Sequence, residues 1–172
     1  MANERPNIAK MGGNPVTLIG NEIKVGDTAP DFTALAGFNA PVKLGDLKGK
    51  VKVFSVVPSV DTPVCNIQTK RFNKEAAGLG GNVEIVTISM DLPFALKRFC
   101  AAEGIDRVKT LSDHQSASFG EAYGVLIKEN RLLARSVFVV DENDKVRYVQ
   151  IVPEVTQEPD YEAALNAVRD AL

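Results

Sequence analysis

Two stretches of the chain are apolar and β-branched almost without a break, VKVFSVV over 51–57 and VEIVTIS over 83–89. Such runs are expected of strands covered on both faces in the middle of a sheet. Each is followed by a helical pattern. After the first comes the loop SVDTP. A helix then runs from about Val64 to Ala77, with Val64, Ile67, Phe72 and Ala76 roughly on one face and Lys70, Lys74 and Glu75 elsewhere. Gly78 and the pair Gly80-Gly81 stop it. After the second run, Asp91 is a candidate N-cap and Pro93 a first-turn proline, and Leu92, Ala95, Leu96, Phe99 and Cys100 form one helical stripe. A shorter helix is predicted around Ala117 to Tyr123. Ser136 to Asp141 and Val146 to Val152 read as an antiparallel pair joined by the polar turn Glu142-Asn143-Asp144. The chain closes on a helix from about Asp160, with Tyr161, Ala164, Leu165, Val168 and Leu172 at helical spacing.

The N-terminal part carries weaker signals. Val16 to Ile19 and Glu22 to Lys24 are β-like and flank Gly20-Asn21, a pair that tolerates positive φ, which predicts a hairpin there. Residues 1–13 are expected to be a flexible extension. In VGDTAPDFTALA, Pro30 would remove a ladder donor from a strand interior, so the segment is expected to be loop or sheet edge. The resulting order is hairpin, β, α, β, α, α, β, β, α. It predicts an α/β fold of thioredoxin-like order, with a mixed central sheet, helices on both faces and an N-terminal β-hairpin extension. No repeat or long linker divides the 172 residues, so a single domain is expected.

Composition narrows the function. The 45% hydrophobic content suffices for one core, and 20 basic against 22 acidic residues leave no positive surplus to neutralise nucleic-acid phosphates. The opening MANERPNIAK lacks the apolar stretch of a secretory signal, and no segment approaches the roughly 18 apolar residues of a membrane span. A soluble, cytoplasmic protein is therefore expected, with neither membrane nor nucleic acid as partner. Two cysteines are too few for a disulfide scaffold, so chemistry at them would be transient and redox-active.

The segment PSVDTPVC places Pro58, Thr62 and Cys65 on the turn from a buried strand into a helix, the crevice where α/β sheets gather reactive groups. Unpaired N–H groups and the positive end of the helix macrodipole there favour a thiolate. Ionisation alone is a modest gain. A free thiol is a few per cent ionised at neutral pH, so full ionisation gains only roughly 30-fold. Groups that aim the electrophile and stabilise the departing charge must supply more. Thr62, three residues before the cysteine, has the spacing to donate to the sulfur. Arg135, just ahead of SVFVVD, is the candidate guanidinium, arriving from a neighbouring strand.

Other motifs fail. His114, the only histidine, sits in a polar SDHQ setting; GDLKGKV lacks the spacing of a phosphate loop; DENDK lacks the glycine and distal glutamate of a calcium loop. Neither a metal nor an organic cofactor is called for. Cys65 is followed by Asn66, Ile67 and Gln68, without the C-x-x-C of a disulfide reductase, and the chain has no tryptophan, which a glutathione-peroxidase-like site would include by family resemblance.

The spacing PxxxTxxC after VKVFSVV resembles the active-site signature of peroxiredoxins. The fuller PSVDTPVC, with DLPFALKRFCAAEG, ARSVFVVDEND and EPDYEAAL, is similar to the bacterial thiol peroxidase subfamily from about Asn14 onward. The resemblance implies an atypical two-cysteine enzyme. Cys65 would be the peroxidatic cysteine, Thr62 and Arg135 its hydrogen-bonding partners, Pro58 a shield against solvent and Cys100 the resolving cysteine. It further implies a hydroperoxide substrate, an intrachain disulfide reduced by thioredoxin, and a homodimer whose interface lies near the site.

Overall fold

The computed structural model describes residues 3–172. In chain order its elements are β1 (Glu4–Met11), β2 (Asn14–Ile19), β3 (Thr33–Leu35), β4 (Pro41–Lys43), a 3-10 turn (Leu44–Leu47), β5 (Val51–Val56), α1 (Pro63–Ala76), β6 (Val83–Ser89), α2 (Pro93–Glu103), β7 (Lys109–Ser112), α3 (Ser118–Ala122), β8 (Leu126–Ile127), β9 (Ser136–Val140), β10 (Val146–Ile151) and α4 (Tyr161–Ala171). The main sheet is mixed and ordered β10-β9-β5-β6-β7-β3-β4, with β5, β6 and β7 parallel and β9 antiparallel to β5. The run VKVFSVV thus becomes a central strand, buried at every position from Val51 to Val56, as its composition predicts. Val53 and Val57 face a core shared with Phe72 of α1, Leu96 and Phe99 of α2, and Ala164 and Val168 of α4. Phe54 and Val56 face the opposite core, which holds Phe119 of α3 and Leu18 of β2. Helices therefore lie on both faces.

Several local expectations are corrected. The hairpin partner of β2 is β1, not Glu22 to Lys24, and the reversal falls at Gly12 and Gly13, whose φ values are +59° and +83°. Gly20 serves a close approach instead: with φ at +112°, a Cβ there would lie 2.2 Å from the Glu121 carbonyl oxygen. The expected flexible extension is, from Glu4 onward, the outer strand of a small sheet β1-β2-β8, and only Met1 and Ala2 lie outside the described residues. Arg5 donates to the Gly20 and Gly124 carbonyls, and Ala9 is buried. Lys10 also brackets the segment after β10, donating to the Pro153 carbonyl and accepting from the Val155 N–H, both at 2.8 Å. In the stretch expected to be loop or edge, Pro30 does lie outside any strand, but Thr33–Leu35 pairs with both β4 and β7.

A further correction concerns α1. Its buried residues are Cys65, Gln68, Thr69 and Phe72, a stripe half polar, while Ile67 is 49% exposed. The apolar residues mislead there because the face that packs on the sheet carries the chemistry. On α2 the predicted stripe holds at Leu96 and Phe99, but Leu92 is 52% exposed and is itself the cap residue.

Two buried polar groups carry stability predictions. Thr87 Oγ1 on β6 is buried without a hydrogen-bond partner. An unpaired buried hydroxyl costs about 1–3 kcal/mol, so Thr87→Val, which keeps the shape, should raise the melting temperature. Asp113 accepts from the Phe119 and Gly120 N–H groups at 2.9 and 2.8 Å, fastening α3. Burial pushes its carboxyl from 3.8 up to about 6, against those backbone hydrogen bonds. A folded value above the unfolded one means stability that is present below about pH 4 and lost as pH rises through about 6. Urea midpoints measured across that window should fall less with rising pH in Asp113→Asn than in the parent.

Candidate active site

Helix α1 begins on Thr62, whose extended backbone and hydroxyl cap it, followed by Pro63 in the first turn. The Thr62 oxygen accepts from the Cys65 N–H at 3.4 Å and its hydroxyl donates to the Ser59 carbonyl at 3.1 Å. Cys65 therefore lies in the first helical turn, as the motif predicts, and its sulfur is 0% exposed. Thr69 donates to the Cys65 carbonyl at 2.9 Å. Pro58 is buried at the start of the loop between β5 and α1.

Arg135 reaches this sulfur because of strand register. It immediately precedes β9, and Ser136 pairs with Val56, the last residue of β5, so the guanidinium emerges where the chain turns towards α1. The side chain is 2% exposed and spends three donors: Nε to the Val155 carbonyl at 2.7 Å, Nη1 to Gln68 Oε1 at 2.8 Å and Nη2 to Cys65 Sγ at 3.1 Å. None of these partners is a carboxylate, so no hydrogen-bonded counter-charge offsets the cation beside the sulfur. In a buried setting of low dielectric the cation's field acts strongly.

Pro58, Thr62, Cys65 and Arg135 thus converge on one end of β5. Cys100 does not join them. It is half-buried on α2, with its sulfur 3.7 Å from Thr110 Oγ1 on β7, and lines a separate groove with Phe38 and Phe94. Both cysteines are free thiols. A cavity of about 420 Å³ between the start of α1 and α2 is lined by Thr62, Asn66, Arg98 and Phe99 among others, and offers space beside the capping threonine.

Residues assigned no role in the site from sequence alone complete it. Gln68, one turn after Cys65, links Arg135 to Ser55 Oγ at 2.8 Å. Asp91, expected to cap α2, instead accepts from Ser59 Oγ, the Val60 N–H and Ser89 Oγ at 2.7, 2.8 and 2.6 Å. It fastens the loop before Cys65 to the strand that leads to Cys100. The sequence signal for both was a polar residue beside an apolar run, Ser55 within VKVFSVV and Ser89 closing VEIVTIS.

Residues 24–165 match the Redoxin family. The chain is similar to the thiol peroxidase of Oceanobacillus iheyensis, 65% identical over 153 residues that cover 89% of this chain and 93% of that one. It is 60% identical over 157 residues to the thiol peroxidase of Bacillus subtilis, covering 91% and 93%. The chain belongs to the thiol peroxidases of the redoxin family. A peroxiredoxin-like protein from Aquifex aeolicus, known from its crystal structure, superposes on this peroxidase with a TM-score of 0.90 at 43% identity over 99% of both chains. The thioredoxin-like architecture expected from the order of elements is shared with it. No helix of this thiol peroxidase, among the described residues, is long and apolar enough to cross a membrane.

Proposed function

We propose that this enzyme reduces hydrogen peroxide and organic hydroperoxides through Cys65. The thiolate attacks one peroxide oxygen, the O–O bond breaks, and the other oxygen leaves with a proton as water or alcohol; Cys65 becomes a sulfenic acid. The Cys100 thiol then attacks that sulfur, expelling water and forming an intrachain disulfide, which the dithiol of thioredoxin reduces. Arg135 stabilises the departing charge, Thr62 directs the peroxide once its hydroxyl turns from the Ser59 carbonyl to donate to it, and Pro58 limits solvent access. The single observation behind this reading is the buried guanidinium with Nη2 placed 3.1 Å from Cys65 Sγ. Family resemblance supports thioredoxin as reductant, a homodimer, a cytoplasmic setting and a role in antioxidant defence.

The second step requires movement. A disulfide needs Cα atoms within about 7 Å, yet Cys65 is held by Thr62 and Arg135 while Cys100 faces Thr110. The two sulfurs have different partners, and on this reading they meet through local unwinding of α1 or α2.

The test is a thioredoxin-coupled assay with thioredoxin reductase and NADPH across several hydroperoxides. Many equivalents of peroxide consumed per chain support catalysis. Arrest after one equivalent would instead indicate a redox sensor that uses the same disulfide. In Cys100→Ser the first oxidation should proceed at the parent rate while thioredoxin-linked turnover stops. Unchanged steady-state turnover in that variant would remove the resolving role.

A further inference from the structure

We propose that Gln68 is a positioning residue, a neutral clamp that holds Arg135 against the Cys65 sulfur without drawing off its charge. The proposal rests on Cys65 being the attacking group and concerns how its cationic partner is kept in place. Gln68 is fully buried in α1, one turn after Cys65 and on the same face. Both ends of its amide are used. Oε1 accepts from Arg135 Nη1 at 2.8 Å, and Nε2 donates to Ser55 Oγ at 2.8 Å on the central strand. The reverse orientation of the amide would set its NH2 against the guanidinium, donor facing donor, so the arginine itself selects the orientation found.

The guanidinium is a rigid plane, and two fixed points determine where its third donor lies. Val155 O holds Nε and Gln68 holds Nη1, which leaves Nη2 aimed at the sulfur. The choice of glutamine has an electrostatic consequence. A glutamate could make the same two contacts, accepting from Arg135 and from the Ser55 hydroxyl, yet its charge would offset the arginine's beside the sulfur. Glutamine gives the geometry of an ion pair and leaves the positive field to the reacting centre. Ser55 completes the clamp from the sheet, since its position on β5 does not depend on whether α1 is intact.

The experiment measures loss of the Cys65 thiol to hydrogen peroxide by quenching with an alkylating reagent and reading intact and peptide masses, across pH. Gln68→Ala should slow oxidation by about 10- to 100-fold, the range expected when a reacting group drifts by a fraction of an ångström. Ser55→Ala, which cuts the clamp at its far end and disturbs α1 least, should slow it by a smaller factor, on the order of 3. Gln68→Glu keeps the contacts and is the decisive variant: its half-maximal rate should move to higher pH by roughly one unit. A residue that merely fills space would not move that profile. Rates within twofold of the parent in all three variants, or a Gln68→Glu profile that stays in place, would overturn the clamp and leave Cys65 as the nucleophile. Peptide mapping tests the underlying reading by itself: a sulfenic adduct on Cys100 in the parent would overturn the role of Cys65 and the clamp with it.

Discussion

Cys65→Ser is expected to fold as the parent does and to lose peroxide turnover by a factor on the order of 10⁴ or more. Serine is slightly smaller than cysteine and its hydroxyl can still accept from Arg135 Nη2, so the buried network around it survives. What vanishes is the chemistry, because an alcohol is scarcely ionised at neutral pH and its oxygen is a poor nucleophile towards O–O bonds. Thioredoxin-coupled NADPH oxidation would read the loss, and a thermal melt close to the parent's would show that it is not a folding defect. Residual turnover above a few per cent would mean that Cys100 attacks peroxide by itself.

Arg135→Met has the next largest expected effect, a fall of about 10²–10³-fold in the rate of Cys65 oxidation. That is the range for deleting one preorganised donor from a buried anionic site. Methionine fills most of the volume but donates nothing, so the sulfur loses its cation. Gln68 Oε1 and the Val155 carbonyl lose their donor as well. Each buried acceptor left unpaired costs about 1–3 kcal/mol, so a lowered melting temperature should accompany the kinetic loss. Arg135→Lys is expected to recover only part of the rate, since one ammonium on a flexible stem cannot meet three partners around a plane. Quenched-flow thiol loss and thermal melts together check both effects.

The parts of this molecule that were legible in its sequence are those whose signals are local. The central strands announce themselves by unbroken β-branched runs, and β6 falls on Val83–Ser89 as predicted. Helix α1 announces itself by a threonine cap and a proline in the first turn. Elements made by pairing rather than propensity were not legible. β8 has two residues and β3 three, and each exists because a neighbouring strand offers its backbone. β1 reads ERPNIAKM, half of it charged or amide, with only Ala9 buried. The active site divides the same way. Thr62 and Cys65 share one turn and are visible as spacing. Arg135 could be placed only by resemblance, until the pairing of Ser136 with Val56 showed how it arrives. Gln68 was hidden because a polar residue on a helix is ordinarily taken to face water, whereas here it packs inward against a serine and an arginine.

The first strand lies outside the motif that resembles the family, yet it reaches the reacting centre by a short relay. Lys10 of β1 grips the backbone at Pro153 and Val155, and the Val155 carbonyl in turn anchors Arg135. A recombinant chain trimmed of its first thirteen residues would therefore be a differently tuned catalyst rather than a tidier copy. It would also lay bare the hydrogen-bonding edge of β2, a template on which other chains can stack. Affinity tags and cleavage sites are better appended beyond Leu172, which is exposed at the end of α4.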